Sequence, residues 1–454
     1  MTSRLPTTYD PSLTRTSSDP QAPDGRPLKI CMLAACPFPA NSGTAGSIRE
    51  MAEAIADLGH EVHIITYHFG EDIPVKGPRV HRITALTGES TVVIGPTTRR
   101  PLYDLQMIFK TLQVIREQRP DVLHAHGYEA ALVAWPCRLL TRVPVLYSGH
   151  NTMDDELPSY NFIRPKRVAV AIARMLDAFV PRTVDRCLPH SASMQRFFQG
   201  MGLGARTEPV VPFGIDLDWL ASDDGAAVRR RYGLGDGPVL VYAGMLDPLQ
   251  RPDLLLEATA HVVGQEPRAR LLVVVTNSAE QHLKRFRRRA AELGLGDRVV
   301  LTETQPLAAL PKLLSVGDVA VAPRPRTAGM SVKLLNYMAL RRPSVLFASS
   351  TTNGLAHREN AMLAAPDTGE ALGEAILEVL RDGELRWRLA QNGHRFVREH
   401  HDRRQVAQLI YGAYLRTLAA AGRLLPRSRE GALGTVSEPA QNSNNRGSKA
   451  LVLL

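Results

Sequence analysis

Apolar residues along this chain follow two alternating rhythms. Short, nearly continuous apolar runs occur at Leu28 to Ala35, Val62 to Tyr67, Asp121 to His126, Val143 to Ser148 and Cys187 to Ser191. Between them, apolar side chains recur every three or four residues. A strand buried on both faces of a parallel sheet has no polar face, so it reads as a continuous run, whereas a helix lying on that sheet shows one apolar stripe. Ile48, Met51, Ile55 and Leu58 form such a stripe, closed by Gly59, and helices are expected over Leu102 to Glu117 and Gly127 to Leu140. The alternation restarts after Thr207. Strands are expected at Val239 to Ala243, Leu271 to Val275, Val299 to Leu301, Val319 to Ala322 and Ser344 to Ala348, with helices between and after them. The expected class is α/β: two doubly wound, Rossmann-like units facing a cleft.

This pattern sets the boundaries. Residues 27–207 form the first unit and 208–400 the second. Val406, Leu409, Ile410, Ala413 and Thr417 mark a last helix, within 401–421, expected to pack back on the first unit. The tails, 1–26 and 422–454, are polar, lack any apolar period and are expected to be disordered. A length of 454 residues suits two cores, and 44% hydrophobic with 22% charged residues is ordinary for a globular protein.

Charge narrows the partners. The net charge of +10 favours an anionic partner, but no basic motif is interleaved with aromatic residues, so nucleic acid is not expected. Phe162 to Arg186 carries Arg164, Lys166, Arg167, Arg174, Arg182 and Arg186, while Val168, Ile172, Met175, Leu176 and Phe179 share one helical face. Two readings stand: a helix whose apolar face enters the core, or one resting on an anionic membrane. Cys31, Cys36, Cys137 and Cys187 have no metal or disulfide spacing and read as buried thiols in a reducing compartment. No apolar run is long enough to span a bilayer and no signal pattern opens the chain. The expected location is cytoplasmic, with peripheral contact on the inner face of the plasma membrane as an option.

Candidate chemistry gathers where strands end. The stretch PRPRTAGMSVKLLNYMALRRPSVLF, Pro323 to Phe347, runs from a strand through a small-residue loop into a short helix. Backbone N–H groups at a helix start favour an anion, and Lys333 in the first turn suits a diphosphate better than it suits the helix. The loop with Ser42, Gly43, Thr44 and Gly46 does not make a dinucleotide fingerprint but allows a phosphate or acceptor site. His124, His126 and His150 fall at or near strand ends; no acidic or cysteine partner stands at ligand spacing, so no metal is expected.

Several stretches, in this order, carry a resemblance: CMLAACPFPANSGTAGSIREMAEAIADLGHEVHIIT, DVLHAHGYEA, PVLYSGHNT, VVPFGIDLDWL, VLVYAGMLDPLQRPDLLLEA and VAVAPRPRTAGMSVKLLNYMALRRPSV. Together they resemble the retaining, nucleotide-sugar-dependent glycosyltransferases of the GT-B architecture, the large family-four-like group, over about Leu28 to Leu418. The resemblance implies transfer of a sugar from a nucleotide sugar with retention at the anomeric carbon and without a metal or other cofactor. The acceptor it implies is a polysaccharide, a glycolipid or another surface glycoconjugate. In the family the second domain holds the donor and the first receives the acceptor. Gly43 then matches the loop glycine near the donor phosphates, and His150 the catalytic-site histidine that contacts the donor sugar. Gly244 matches the glycine ending the first strand of the second domain. Arg251, or Gln250 in a shorter alignment, stands for the family lysine, and Lys333 matches the lysine of a P-x-K-x-x-E-Y-M-A subgroup. Thr44, His124 and His126 lie on the acceptor side.

The sequence also departs from the family. Met245 replaces an arginine, and the usual paired glutamates are Ala328 and Asn336. Glu303, after a strand of the second unit, is the candidate substitute for the lost carboxylate. A nucleotide-sugar 2-epimerase shares the architecture, and a non-catalytic binder of a sugar nucleotide or a membrane complex would also tolerate these changes.

Overall fold

The computed structural model describes residues 26–40, 43–85, 99–157, 165–218, 225–276, 278–305, 307–326, 331–350 and 354–423. The tails apart from Arg26, Gly422 and Arg423 lie outside them, as do Ser42, residues 162–164 of the basic stretch and Ala328. The first unit runs β1 (Lys29–Ala34), α1 (Gly43–Asp57), β2 (Glu61–Thr66), β3 (Arg79–Arg82), α2 (Arg100–Gln118), β4 (Val122–His126), α3 (Gly127–Thr141), β5 (Val145–Gly149), α4 (Met153–Glu156), α5 (Lys166–Phe179), β6 (Arg186–Pro189) and α6 (Ala192–Gly200). The second runs α7 (Gly225–Arg231), β7 (Val239–Gly244), α8 (Pro252–Gln265), β8 (Arg270–Val275), α9 (Glu280–Glu292), β9 (Val299–Leu301), α10 (Leu310–Leu314), β10 (Val319–Ala322), α11 (Val332–Ala339), β11 (Ser344–Phe347), β12 (Met362–Ala364), α12 (Gly369–Arg381) and α13 (Gly383–His400). The last helix is α14 (Arg403–Ala420).

Each unit is built on one six-stranded sheet, in the orders β3-β2-β1-β4-β5-β6 and β12-β11-β10-β7-β8-β9. The paired strands in both are parallel. Successive strand residues point to opposite faces, so each sheet feeds two cores. In the first unit, Leu33, Leu123 and Tyr147 pack with Met107, Val133 and Phe198 from α2, α3 and α6. Ile30, Met32 and Leu146 pack on the other face with Ile48 and Ile55 of α1 and with Ile410 of α14. Each such aliphatic side chain stabilises the fold by about 1.5–3 kcal/mol when fully buried. The strand order reverses between β1 and β4 in one sheet and between β7 and β10 in the other. Ligands of open α/β sheets bind beyond the carboxyl ends of strands at such reversals.

The chain crosses between the units twice, and the two crossings lie side by side. Ile215 N–H donates to His401 O at 2.9 Å and Arg403 N–H to Ile215 O at 3.1 Å. A Cβ on Gly214 would sit 2.7 Å from the Arg403 Cα, so only glycine lets the segments approach this closely. Beyond the crossing, α14 lies on the first unit. Arg416 Nε donates to the buried Glu208 at 2.6 Å, and Arg186 holds the other oxygen of that carboxylate.

Three features differ from the sequence-based expectation. Two strands fall outside the expected set: β3 is RVHR, without an apolar run, on an exposed edge, and β12 is an apolar run of only three residues, MLA. Helix α1 begins at Gly43 itself, placing Gly43, Thr44 and Gly46 in its first turn rather than in a loop. In α5 the buried positions are Ala169, Ala173 and Asp177, while Val168, Met175 and Phe179 are exposed. Ile172 and Leu176 are partly buried, so one side of the apolar face joins the core while the other stays open.

Candidate functional site

In the second unit the site is assembled by α11. The Ala243 N–H, near the end of β7, donates to the hydroxyl of Tyr337 at 2.8 Å, which fixes α11 against that strand end. Lys333, four residues earlier on the same helical face, is thereby carried over Gly244. Its Nζ donates to Tyr242 Oη at 3.1 Å and to Gln250 Oε1 at 2.9 Å, and lies 4.4 Å above the Tyr242 ring. Burial disfavours the ammonium and brings the Lys333 pKa down to about 7; the Asp247 carboxylate opposes this shift and Arg324 adds to it. A cation in the first turn of a helix is also opposed by the helix dipole. Lys333 thus stands in a place that favours its charge only when an anion joins it. Asp247 Oδ1 caps the turn that carries Gln250, through Leu249 N at 2.9 Å, and its Oδ2 is buried with no partner among the described residues.

In the first unit four histidines line up across the carboxyl ends of three strands: His124 and His126 within β4, His150 just after β5 and His190 just after β6. Ring centroids are 4.1 Å apart for His124 and His126, 5.9 Å for His126 and His150, and 5.2 Å for His150 and His190. Phe213, from the crossing segment, stacks on His190 at 4.4 Å and on His150 at 5.5 Å. Burial depresses the pKa of all four, so the imidazoles are neutral at neutral pH. A neutral imidazole offers one N–H and one lone pair, which suits sugar hydroxyls. Both ring nitrogens of His126 and Nε2 of His150 are buried without a partner among the described residues. His190 is committed: Nε2 to Ser148 Oγ at 2.9 Å and Nδ1 to Val211 O at 2.8 Å.

Two family models match the two units. One, described as Glycosyltransferase Family 4, covers residues 41–219, and the other, Glycosyl transferases group 1, covers residues 237–382. The chain belongs to the GT-B group 1 glycosyltransferases. It is 30% identical over 240 residues to a D-inositol 3-phosphate glycosyltransferase of Geodermatophilus obscurus, covering 48% of this chain and 51% of that one. It is 34% identical over 148 residues to a GDP-mannose-dependent alpha-(1-6)-phosphatidylinositol monomannoside mannosyltransferase of Mycolicibacterium smegmatis, covering 32% and 38%. The chain spans about half the length of the first of these curated relatives. Among solved structures it resembles sucrose-phosphate synthase of Thermosynechococcus elongatus, with a TM-score of 0.74 and 19% identity, over 87% of this chain and 100% of that one. It also resembles Anabaena HepE in complex with UDP and glucose, with a TM-score of 0.68 and 18% identity over the same shares. At these identities the likeness establishes the fold.

The structure sorts the candidate residues of this group 1 glycosyltransferase. Gly244, Gln250 and Lys333 come together. Gly43 and Thr44 are exposed at the start of α1, a helix that touches α11 across the units, and a side chain at Gly43 would meet nothing within 4 Å. Asn336 is part-buried one turn beyond Lys333. Of the two candidates for the family lysine, Gln250 is the one that meets Lys333, while Arg251, left-handed at φ 54°, pairs its guanidinium with Asp253 at 2.7–3.1 Å. His124 is a correction. It is fully buried two residues before the end of β4, with Nδ1 bonded to Tyr414 Oη at 2.8 Å and Nε2 to Ser148 Oγ at 2.7 Å, and is closed to any acceptor. Glu303 is exposed after the edge strand β9, two strands from β7, and makes no hydrogen bond to the Lys333 group. Among the described residues no group of three or more His, Cys, Asp or Glu is arranged to hold a metal ion. Sequence reasoning missed Tyr242, Asp247, His190 and Phe213. The available signal was their position at the ends of β7 and β6 and in the crossing segment.

Proposed function

We propose that this glycosyltransferase moves a sugar from a nucleotide sugar to a glycan or lipid-linked hydroxyl presented at a membrane surface, with retention and without a required metal. The observation that carries the reading is Lys333, a lysine held over Gly244 with its charge disfavoured until an anion arrives. The bond from the anomeric carbon to the diphosphate oxygen breaks, and negative charge grows on the departing nucleoside diphosphate. Lys333 and the backbone N–H groups at the starts of α11 and α1 stabilise that charge more in the transition state than in the bound donor. The acceptor oxygen bonds to the same face of the anomeric carbon, and its proton leaves with the diphosphate. His150 and His126 present neutral imidazole nitrogens for the hydroxyls of sugar and acceptor. The names of two similar proteins, one GDP-mannose-dependent and one in complex with UDP and glucose, are consistent with a nucleotide-linked donor here.

The test is turnover of purified protein across UDP-, GDP- and ADP-sugars, with the product anomer read by NMR and a chelator arm. Transfer with the donor's anomeric configuration kept, unchanged by chelator, is expected. Inversion, loss of activity with chelator, or no binding of any nucleotide sugar overturns the corresponding part.

A further inference from the structure

The ten large apolar side chains exposed among the described residues are unevenly placed: nine stand on α2, α3 and α5. Leu105 and Phe109 project from α2, Trp135 and Leu139 from α3, and Met175 and Phe179 from α5, with Phe109 65% and Met175 61% exposed. Helices α2 and α3 pack on the same face of the first sheet through Met107 and Val133 among others, and α5 joins that core through Leu176. Two of the exposed residues touch across α3 and α5. Trp135 and Phe179 meet edge to face at 5.2 Å. Helices α2 and α3 run side by side in parallel, since Arg100 bonds Glu129 and Cys137 bonds Ile108, both 29 positions apart. That register sets Leu105 and Phe109 level with the stretch carrying Trp135 and Leu139. Around this apolar ground the exposed charges on α5 and the turn after it are Lys166, Arg167, Arg174 and Arg182. Asp177, the acid on α5, is buried and accepts from Tyr128 Oη and from the N–H groups of Met153 and Asp154.

We propose that this outward face of α2, α3 and α5 docks on an anionic lipid membrane. Apolar side chains flanked by cations match the acyl boundary and the phosphate layer of such a surface. A second copy fits less well, because a two-fold contact would bring the basic rims of α5 together. The choice of occupant rests on the lipid-linked acceptor proposed above. The experiment reads membrane binding without turnover, so its failure is distinct from failure of the transferase reading.

Full-length protein is floated with vesicles of phosphatidylcholine and phosphatidylglycerol in equal parts, and with phosphatidylcholine alone. Binding to the anionic vesicles, released by salt, is expected. Phe109→Ser with Met175→Ser, and separately Lys166→Glu with Arg167→Glu, are expected to lower partition by about tenfold or more at unchanged Tm, since each cation near such a surface is worth roughly fivefold. Absence of binding to anionic vesicles, equal binding to both kinds, or variants that float as well as the parent overturns the proposal. A dimer in sedimentation that Phe109→Ser with Met175→Ser dissociates assigns the face to a second copy and also overturns it.

Discussion

The Nζ of Lys333 fills the space a side chain on Gly244 would need: a Cβ there would lie 2.8 Å from the ammonium. The strand end and the helix start are therefore built around each other. Gly244 also has φ +143°, where a side chain is strained by about 1–3 kcal/mol. Gly244→Ala is expected to push Lys333 off Gln250 and Tyr242 and to weaken nucleotide-sugar binding by about tenfold or more, in line with loss of a charged hydrogen-bond donor. Calorimetric titration checks this; unchanged affinity would detach Lys333 from the donor.

Protonation of Lys333 gives the site a pH signature. The free pKa is about 7 and a bound diphosphate raises it, so donor binding takes up a proton. With a nucleotide sugar, whose diphosphate is ionised throughout the range, affinity is expected to fall by about tenfold per pH unit above pH 7, until the bound pKa is reached. Lys333→Met should bind weakly with a flat profile. Stability moves the other way in the free protein. Between about 7 and 10.5 the unfolded chain holds the proton that the folded chain has lost, so stability rises with pH there. The gain from Lys333→Met should accordingly be largest below pH 7 and should vanish towards pH 10, as read by urea denaturation.

The histidines separate by test. Tyr414→Phe leaves His124 Nδ1 buried without its hydroxyl and should cost about 1–3 kcal/mol of stability, with kcat per folded molecule retained. His150→Ala should leave Tm nearly unchanged and cut kcat/KM by about 10²-fold or more, the loss typical of a positioned polar group in an active site. The reverse outcome in either variant would exchange the structural and functional assignments.

Arg403 gathers four carboxylates where the chain crosses between units: Asp216 at 3.1 Å, Glu53 at 3.3 Å, and Glu50 and Asp57 at 3.4 Å. Arg403→Met leaves part-buried acids facing one another and should destabilise the protein at pH 7 by about 1–3 kcal/mol, allowing for solvent screening. Burial already raises the Glu50 carboxyl above its ordinary pKa, so acidification neutralises it early. The penalty should shrink as pH falls from 7 to 5. A penalty that stays constant across that range would mean packing of the arginine stem, not charge, holds the crossing.

The sequence by itself determined the two-sheet α/β architecture and the helix carrying Lys333, because buried parallel strands and amphipathic helices write their periods locally. It could not show β3, whose RVHR run has no apolar period and is placed by pairing with β2 and by the packing of Val80. Nor could it show which face of α5 turns inward, since Ala169 and Ala173 cluster with Leu157 and Met153, residues that only folding brings beside them. Identical-looking strand histidines divided only on folding: Tyr414, 290 positions away, closes His124, while His126 is left with no partner among the described residues. Likewise Gln250, not Arg251, meets Lys333, because the backbone of Arg251 turns left-handed and its guanidinium is drawn to Asp253. Periodicity is a property of neighbours in sequence, but which polar atom finds a partner depends on residues that only the folded chain brings within 3 Å.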